Sequence, residues 1–229
     1  MFLDIARWLL SGVCHQLPEH ALVVGGQALP LCARCTGTFL GVPVGLLALW
    51  ASGQGRRSGM PRGRVWIALV LPVVAWMLDG ANAFVGDLLG RVWLYTPHNV
   101  LRLVTGTGFG LVLAVLLYPT IHYALAPEAG DEPVLARPRD GLVLPLAGAL
   151  QVATLQVATI APYGVWAIAL AAATTGVLTV VNALLIILAL NREGTAQRWS
   201  SVALYGVAGL GAALAETGTL ALVRRLVVG

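Results

Sequence analysis

The chain has 229 residues, of which 58% are hydrophobic and only 10% are charged. A soluble globular domain carries about 25% charged residues, so this composition excludes a water-soluble fold and predicts a surface that mostly faces lipid. The 14 basic residues are all arginine and leave a formal net charge of +4. Because arginines are expected in the loops of a membrane protein, we predict no nucleic-acid partner.

The N-terminal segment up to Gln16 resembles a secretion signal only superficially. Asp4 accompanies Arg7 in its charged part, and the apolar run that follows is short. Val13 stands before Cys14, where lipoprotein cleavage would need a small residue. We therefore expect the segment to be retained as an amphipathic helix that lies at the membrane interface.

Six apolar stretches predict transmembrane helices, each of which needs about 20 mostly apolar residues. They are 34–52, 65–85, 99–124, 141–161, 163–190 and 199–223. The predicted fold is therefore all-α and polytopic, with about six transmembrane helices. Acidic residues and prolines in 126–140 predict a polar, flexible linker. This linker separates an N-terminal half, 1–125, from an apolar C-terminal half, 141–229.

The distribution of arginines predicts how the helices are oriented in the inner (cytoplasmic) membrane. Four arginines lie in the short loop 53–64, and short cytoplasmic loops are enriched in basic residues. With that loop inside, eight arginines lie on the inner side and six on the outer side. Both termini and the segment that bears the cysteines are then expected on the outer face.

All three cysteines lie near the N-terminus, next to the first predicted span. Cys14 precedes His15, and Cys32 and Cys35 form a CxxC motif. This spacing places two sulfurs within reach of one metal ion, and the chain returns from Cys14 to the motif across a Gly-Gly turn. Thiolates and imidazole bind zinc and iron, so these four residues predict a metal site. The alternatives are a redox or structural disulfide and inert thiols.

Polar and charged side chains inside the predicted spans suggest a second site. An ionisable group in a span is unfavourable unless it is paired or hydrated, so such groups are candidates for function. The candidates are Asp79, Asn82, Asn99, Arg102, Thr105 and Glu216, together with Arg34 beside the cysteines. Alternation of the spans brings them to one membrane depth, where we expect a polar cavity that binds a small polar or lipid head group. The structural alternative is an ion pair between Asp79 and Arg102.

Four motifs in the first half of the chain form a recognisable pattern. They are CHQLPE at 14–19, PLCARCTG at 30–37, Asp79-Gly80 and NVLRLVTG at 99–106. Together they resemble a bacterial and archaeal membrane-protein family, the domain of unknown function 2085. After Pro-Glu the family pattern continues with Arg-Ser, where this chain has His20-Ala21. The resemblance covers roughly residues 14–110 and implies a shared site built from these motifs, without implying an activity.

Three functions are compatible with these features, and whether the chain is an enzyme stays open. The first is a membrane protein with a structural zinc or iron site at Cys14, His15, Cys32 and Cys35 above the polar cavity. The second is a thiol–disulfide oxidoreductase that exchanges electrons with a membrane quinone through its CxxC motif. The third is a non-enzymatic accessory subunit whose C-terminal helices bind partners in a membrane complex. Membrane lipid is an expected partner in each case.

Overall fold

The structure, a computed structural model, describes residues 2–55, 57–125, 130–137, 140–157, 161–194 and 199–228. Its helices are α1 (Phe2–Leu10), α2 (Ala33–Ala51), α3 (Val65–Leu89), α4 (Asn99–Leu125), α5 (Asp140–Gln156), α6 (Tyr163–Ala189) and α7 (Trp199–Val228). Its strands are β1 (Ala21–Val24), β2 (Gln27–Cys32), β3 (Arg57–Gly59) and β4 (Gly130–Pro133). β1 pairs with β2 in an antiparallel hairpin, and β3 pairs with β4 in parallel.

The predicted helical membrane fold is confirmed, including a short N-terminal helix, α1. In the described part of the chain, five helices are long and apolar enough to cross a membrane: α2, α3, α4, α6 and α7. The predicted span 141–161 corresponds to α5, which has 17 residues, and residues 158–160 lie outside the described residues. A sixth crossing therefore stays a prediction. Large apolar side chains such as Ile67, Leu71 and Phe84 are exposed, as expected for a lipid-facing surface.

Close packing of α2 on α4 forms the centre of the fold, and α3, α5 and α6 pack around this pair. Glycines allow the approach, because a Cβ on Gly37 would lie 2.5 Å from the carbonyl oxygen of Leu103. A Cβ on Gly106 would lie 2.1 Å from the carbonyl oxygen of Arg34. Small residues promote such contacts in lipid, and the glycines at 106 and 110 serve this packing. The contact also fixes Arg34 against the first turns of α4.

At the other end of α2, part of the predicted flexible linker is ordered. β4 lies within 126–140 and pairs with β3. Gln54, Arg57 and Asp140 meet beneath this pair, and we call them the Arg57 cluster. The Arg57 Nη1 atom donates to Gln54 Oε1 at 3.0 Å and lies 3.6 Å from Asp140 Oδ2. The backbone N–H of Leu135 also donates to Gln54 Oε1, at 3.1 Å, so this part of the linker is fixed to the helices.

Candidate functional site

The loop after α1 carries Cys14, and the β1–β2 hairpin returns the chain to Cys32. Gly25 and Gly26 form the hairpin turn with φ values of 57° and 79°, a conformation that glycine adopts without steric cost. The side chain of Gln16 donates to the carbonyl oxygen of Pro30 at 2.9 Å. This contact holds the loop against β2, so residues 18 positions apart in the sequence become neighbours.

The sulfur atoms of Cys14, Cys32 and Cys35 all lie within 4.8 Å of one another, and we call these residues the sulfur cluster. Cys14 and Cys32 are buried and Cys35 is half-buried. The backbone N–H of Cys32 donates to Cys14 Sγ at 3.3 Å, and that of Cys35 donates to Cys32 Sγ at 3.4 Å. Two of the three sulfurs therefore accept amide hydrogen bonds, which stabilise a thiolate.

The charge state of the cluster is uneven. Hydrogen bonds from the Cys14 and Cys35 thiols hold the pKa of Cys32 well below its ordinary value, and the positive charge of Arg34 acts in the same direction. The hydrogen bond to Cys32, together with burial, raises the pKa of the Cys14 thiol. Cys32 also occupies the N-cap position of α2, where the helix dipole favours an anion. Within the cluster, Cys32 is therefore the residue most favoured as a thiolate.

His15, the predicted fourth ligand, lies outside the sulfur cluster. Its side chain is exposed, and its ring centroid lies 6.3 Å from that of His20 in an edge-to-face contact. Its backbone turns toward α7 instead of toward the cluster. The structure therefore brings together three of the four predicted ligands.

Arg224 of α7 fixes the loop around Cys14 by binding three backbone carbonyl groups. Its Nη1 atom donates to the carbonyl oxygens of Ser11 and Cys14 at 3.1 and 2.6 Å. Its Nη2 atom donates to that of His15 at 2.5 Å. A guanidinium offers five hydrogen-bond donors in a rigid plane, so one side chain can bind carbonyl oxygens both after the end of α1 and in the loop that follows. The last helix of the chain thus supports the position of its first cysteine.

Asp79, only 1% exposed, is the centre of a polar network that also contains Arg34, Tyr95 and Thr105. The Nε atom of Arg34 donates to Asp79 Oδ2 at 2.9 Å, and its Nη2 atom also contacts that oxygen. Tyr95 Oη donates to Asp79 Oδ1 at 2.8 Å. Thr105 Oγ1 lies 3.4 Å from Asp79 Oδ2. The ion pair of Asp79 therefore forms with Arg34 of the CxxC motif, and the alternative pair with Arg102 is not observed.

Asn82 fixes the loop between α3 and α4, and this loop positions Tyr95. The side chain of Asn82 donates to the carbonyl oxygen of Tyr95 at 3.0 Å and accepts from the backbone N–H of Leu94 at 2.9 Å. Burial raises the pKa of Tyr95 to about 12, and its hydrogen bond to Asp79 acts in the same direction. The Tyr95 hydroxyl thus stays protonated and donates to the carboxylate.

Asn99 and Arg102 join α4 to the segment before the hairpin. The side chain of Asn99 donates to the carbonyl oxygens of Glu19 and Ala21 at 3.1 and 3.0 Å. Its Oδ1 accepts from Arg102 Nη1 at 3.0 Å. Arg102 is 4% exposed, and its Nε atom has no hydrogen-bond partner among the described residues. Most of the predicted polar residues therefore bond to protein groups, and Arg102 alone keeps a buried donor unused in the described network.

Glu216 does not share this network. It is exposed on α7, and Asn182 of α6 donates to its Oε2 at 3.3 Å. α7 packs on α6 and α1, so the contact of Glu216 is with the C-terminal helix pair. Equal membrane depth, the basis of the prediction, does not specify which helices are adjacent.

Sequence reasoning missed two residues of the site, Tyr95 and Arg224. Tyr95 lies in an aromatic segment typical of a membrane interface, and no spacing in the sequence connects it with Asp79. Arg224 lies 210 residues from Cys14, whose carbonyl it binds. One signal was available: Arg224 is a charge near the end of an apolar helix, and such a residue requires a partner or water.

Comparisons with known proteins match about half of the chain. A family model described as a predicted membrane protein, DUF2085, matches residues 14–116. An uncharacterized protein of Methanocaldococcus jannaschii is 28% identical over 118 residues, which cover 50% of this chain and 69% of that protein. An uncharacterized protein of Methanothermobacter thermautotrophicus is 31% identical over 113 residues, which cover 49% of this chain and 91% of that protein. No solved structure matches the chain.

Proposed function

The chain belongs to the DUF2085 family of predicted membrane proteins, as its motifs predicted. We propose that it binds a zinc or iron ion through Cys14, Cys32 and Cys35. The observation that carries this proposal is the approach of the three sulfur atoms to within 4.8 Å of one another. Sulfur atoms that bind one tetrahedral zinc ion at 2.3 Å lie roughly 3.8 Å apart. The cluster thus needs only small side-chain movements to bind an ion.

The surroundings of the cluster fit a bound cation. Thiolates are the ligands that zinc and iron prefer among sulfur groups, and Cys32 is already favoured as a thiolate. Amide hydrogen bonds to Cys14 and Cys32 provide the outer contacts that orient metal ligands. A fourth ligand comes from solvent or from His15, which is exposed beside Cys14 and requires a rotation of its side chain.

The proposed role of the metal is structural. Cys14 belongs to the loop after α1, whereas Cys32 and Cys35 belong to the start of α2. A shared ion would join these segments and hold the hairpin over the ends of α3 and α4, where Asn99 already binds the carbonyl oxygen of Glu19 just before β1. We place this end of the protein on the outer face of the inner membrane, because the loop 53–64 at the opposite end contains four arginines.

Metal analysis of the purified full-length protein tests the proposal. Prepared without chelator, the wild-type protein should contain about one zinc or iron ion per chain, and Cys32→Ser and Cys35→Ser should lose it. His15→Ala serves as the matched variant, because its side chain lies outside the cluster. Retention by His15→Ala would assign the fourth position to solvent, and loss would assign it to His15. A wild-type protein without stoichiometric metal would refute the proposal.

We also propose that Arg102 contacts a small polar or lipid head group beneath the hairpin. Its buried Nε atom lacks a partner among the described residues, and the nearby carboxylate of Asp79 is bonded to Arg34. Titration of the detergent-solubilised protein with glycerol phosphate, followed by calorimetry, measures this contact. Arg102→Gln should weaken binding, whereas Arg91→Gln, which removes an exposed charge in the same loop region, should not. Equal binding by both variants would contradict this proposal.

The thiol–disulfide oxidoreductase coupled to membrane quinone is a second candidate, and the thiolate at Cys32 favours it. In that reaction two thiols lose two electrons and two protons to form a disulfide, and a quinone gains them to become a quinol. Thiol trapping over a range of redox potentials discriminates between the candidates. A reversible two-electron transition that involves Cys32 in metal-free protein supports the oxidoreductase, and three thiols that remain reduced throughout exclude it.

A further inference from the structure

An apolar cavity lies at the opposite end of α2 from the sulfur cluster. It encloses about 540 Å³ between α3, α4, α5 and the segment before α5. This volume falls within the range of about 300–1,000 Å³ that is typical of small-molecule sites. Its walls are almost entirely hydrocarbon, with Ala68 and Pro72 on α3, Leu111 on α4 and Leu144 on α5.

One charged side chain, Arg137, lines this cavity. The neighbouring carboxylates form ion pairs with Arg57: Asp140 and Glu132 lie 3.6 and 3.3 Å from its nitrogen atoms. Asp140 also accepts from the backbone N–H of Arg137 at 3.1 Å. The charge of Arg137 acts on Asp140 at longer range, but in the described part of the chain no carboxylate forms an ion pair with its exposed guanidinium, so its N–H donors are available to an anion from outside the chain.

The position of Arg137 identifies the kind of anion. α3 begins at Val65 and α5 at Asp140, and both residues lie beside the cavity. The first turn of a membrane helix lies near the lipid phosphates, and the hydrocarbon of the bilayer begins just beyond it. A molecule with an anionic head group and an apolar chain would thus place its charge at Arg137 and its chain among the walls formed by α3, α4 and α5.

We propose that this cavity is a binding site for one anionic phospholipid, with the phosphate group at Arg137 and an acyl chain between α3, α4 and α5. The site is independent of the sulfur cluster, which lies at the other end of α2. Apolar surface alone would accept any lipid chain, so the charge of Arg137 supplies the preference for an anionic head group. An arginine near the membrane surface contributes roughly a fivefold preference for an anionic lipid.

Native mass spectrometry of the full-length protein tests the proposal with two probes, phosphatidylglycerol and phosphatidylcholine with identical acyl chains. We expect the wild-type protein to retain phosphatidylglycerol about fivefold better. Arg137→Gln should remove this preference and leave the retention of phosphatidylcholine unchanged. Arg62→Gln is the matched control, because Arg62 is an exposed arginine at the same end of the protein and does not line the cavity. It should keep the preference.

Filling the cavity tests the apolar part of the site. A Cβ on Gly141 would meet no atom within 4 Å, so Gly141→Leu places a side chain at the cavity without a clash and should lower retention of both lipids. Gly176 has equally open surroundings on α6, and Gly176→Leu should have no effect. Ala68→Phe is a second filling variant, and circular dichroism verifies the folding of each. Equal retention of both lipids by the wild-type protein, or undiminished retention by both filling variants, would overturn the proposal.

Discussion

An arginine–carboxylate contact lies at each end of the central helix α2, but cysteine thiols accompany only one of them. At one end Arg34 pairs with Asp79 beside the sulfur cluster, and at the other Arg57 contacts Asp140. The Arg57 side chain binds Gln54 and the carboxylates of Asp140 and Glu132, and these contacts fix the linker to the helices. The sulfur end instead combines three adjacent sulfurs with an arginine, Arg102, that keeps a buried donor unused. A buried ion pair is therefore poor evidence of function until reactive groups accompany it.

The metal should make the largest difference between the contributions of the two ends to the free energy of unfolding. Structural zinc contributes about 10–16 kcal/mol in isolated zinc-finger peptides, and we expect at least about 3 kcal/mol here because the membrane helices remain folded without it. A chelator should therefore lower the unfolding midpoint of the wild-type protein in detergent. The same chelator should leave Cys32→Ser, which already lacks the ion, unchanged. Equal sensitivity of the two proteins to chelator would contradict a role for Cys32 as a ligand.

Removing the carboxylate charge at each end, one at a time, compares the contributions of the two ion pairs to stability. Asp79→Asn leaves the half-buried Arg34 without its carboxylate partner, although its hydrogen bond to the backbone carbonyl of residue 79 remains, so the cost should be about 2–4 kcal/mol. Asp140→Asn leaves Arg57 with Glu132 and Gln54, so its cost should be about 1–2 kcal/mol. Denaturant titrations of both variants in mixed micelles measure the difference. We also expect Asp79→Asn to weaken metal retention, because Arg34 lies within the CxxC motif. A larger cost for Asp140→Asn would reverse the comparison.

Arg224 provides a test of the support that the C-terminal helix gives to the sulfur cluster. Arg224→Gln removes hydrogen bonds to Ser11, Cys14 and His15, and we expect a loss of about 1–3 kcal/mol with weaker metal retention. Its neighbour Arg225 is exposed, so Arg225→Gln has the same charge change and should behave as wild type. Metal content and unfolding midpoint should be measured together. Unchanged metal affinity in Arg224→Gln would show that the loop keeps its position without α7.

The smallest expected effect belongs to Tyr95. Tyr95→Phe removes one donor from Asp79 and leaves the Arg34 pair in place, so it should destabilise the protein by only about 0.5–1.5 kcal/mol. Metal retention should not change. Tyr95→Phe combined with Asp79→Asn completes a double-mutant cycle, and a non-zero coupling energy is expected because the two side chains share a hydrogen bond. Strict additivity would show that the contact contributes nothing to stability.

The sequence predicted well those features that depend on local composition and regular spacing. Apolar length predicted the membrane helices, and the CxxC motif with the Gly-Gly turn predicted the approach of Cys14 to Cys32 and Cys35. Each of these inferences uses residues that are close in sequence or one hairpin apart.

The structure departs from the predicted arrangement where it depends on which helices are adjacent. Membrane depth placed Glu216 with Asp79, but α7 packs on α6 and α1. The choice between Arg34 and Arg102 as the partner of Asp79 depends on the glycine contact between α2 and α4, which brings Arg34 close to Gly106. His15 as a ligand stays a prediction: its side chain is exposed beside Cys14, and Arg224 binds its backbone carbonyl. Long-range helix packing is not encoded in motif spacing.

X-ray absorption spectroscopy at the metal edge tests the central claim most directly, because it measures the ligands of the ion in the full-length protein. We expect three sulfur ligands at about 2.3 Å and one nitrogen or oxygen ligand, with the sulfur number reduced to two in any metal that Cys14→Ser retains. A spectrum with only nitrogen and oxygen ligands would contradict a metal centre at Cys14, Cys32 and Cys35.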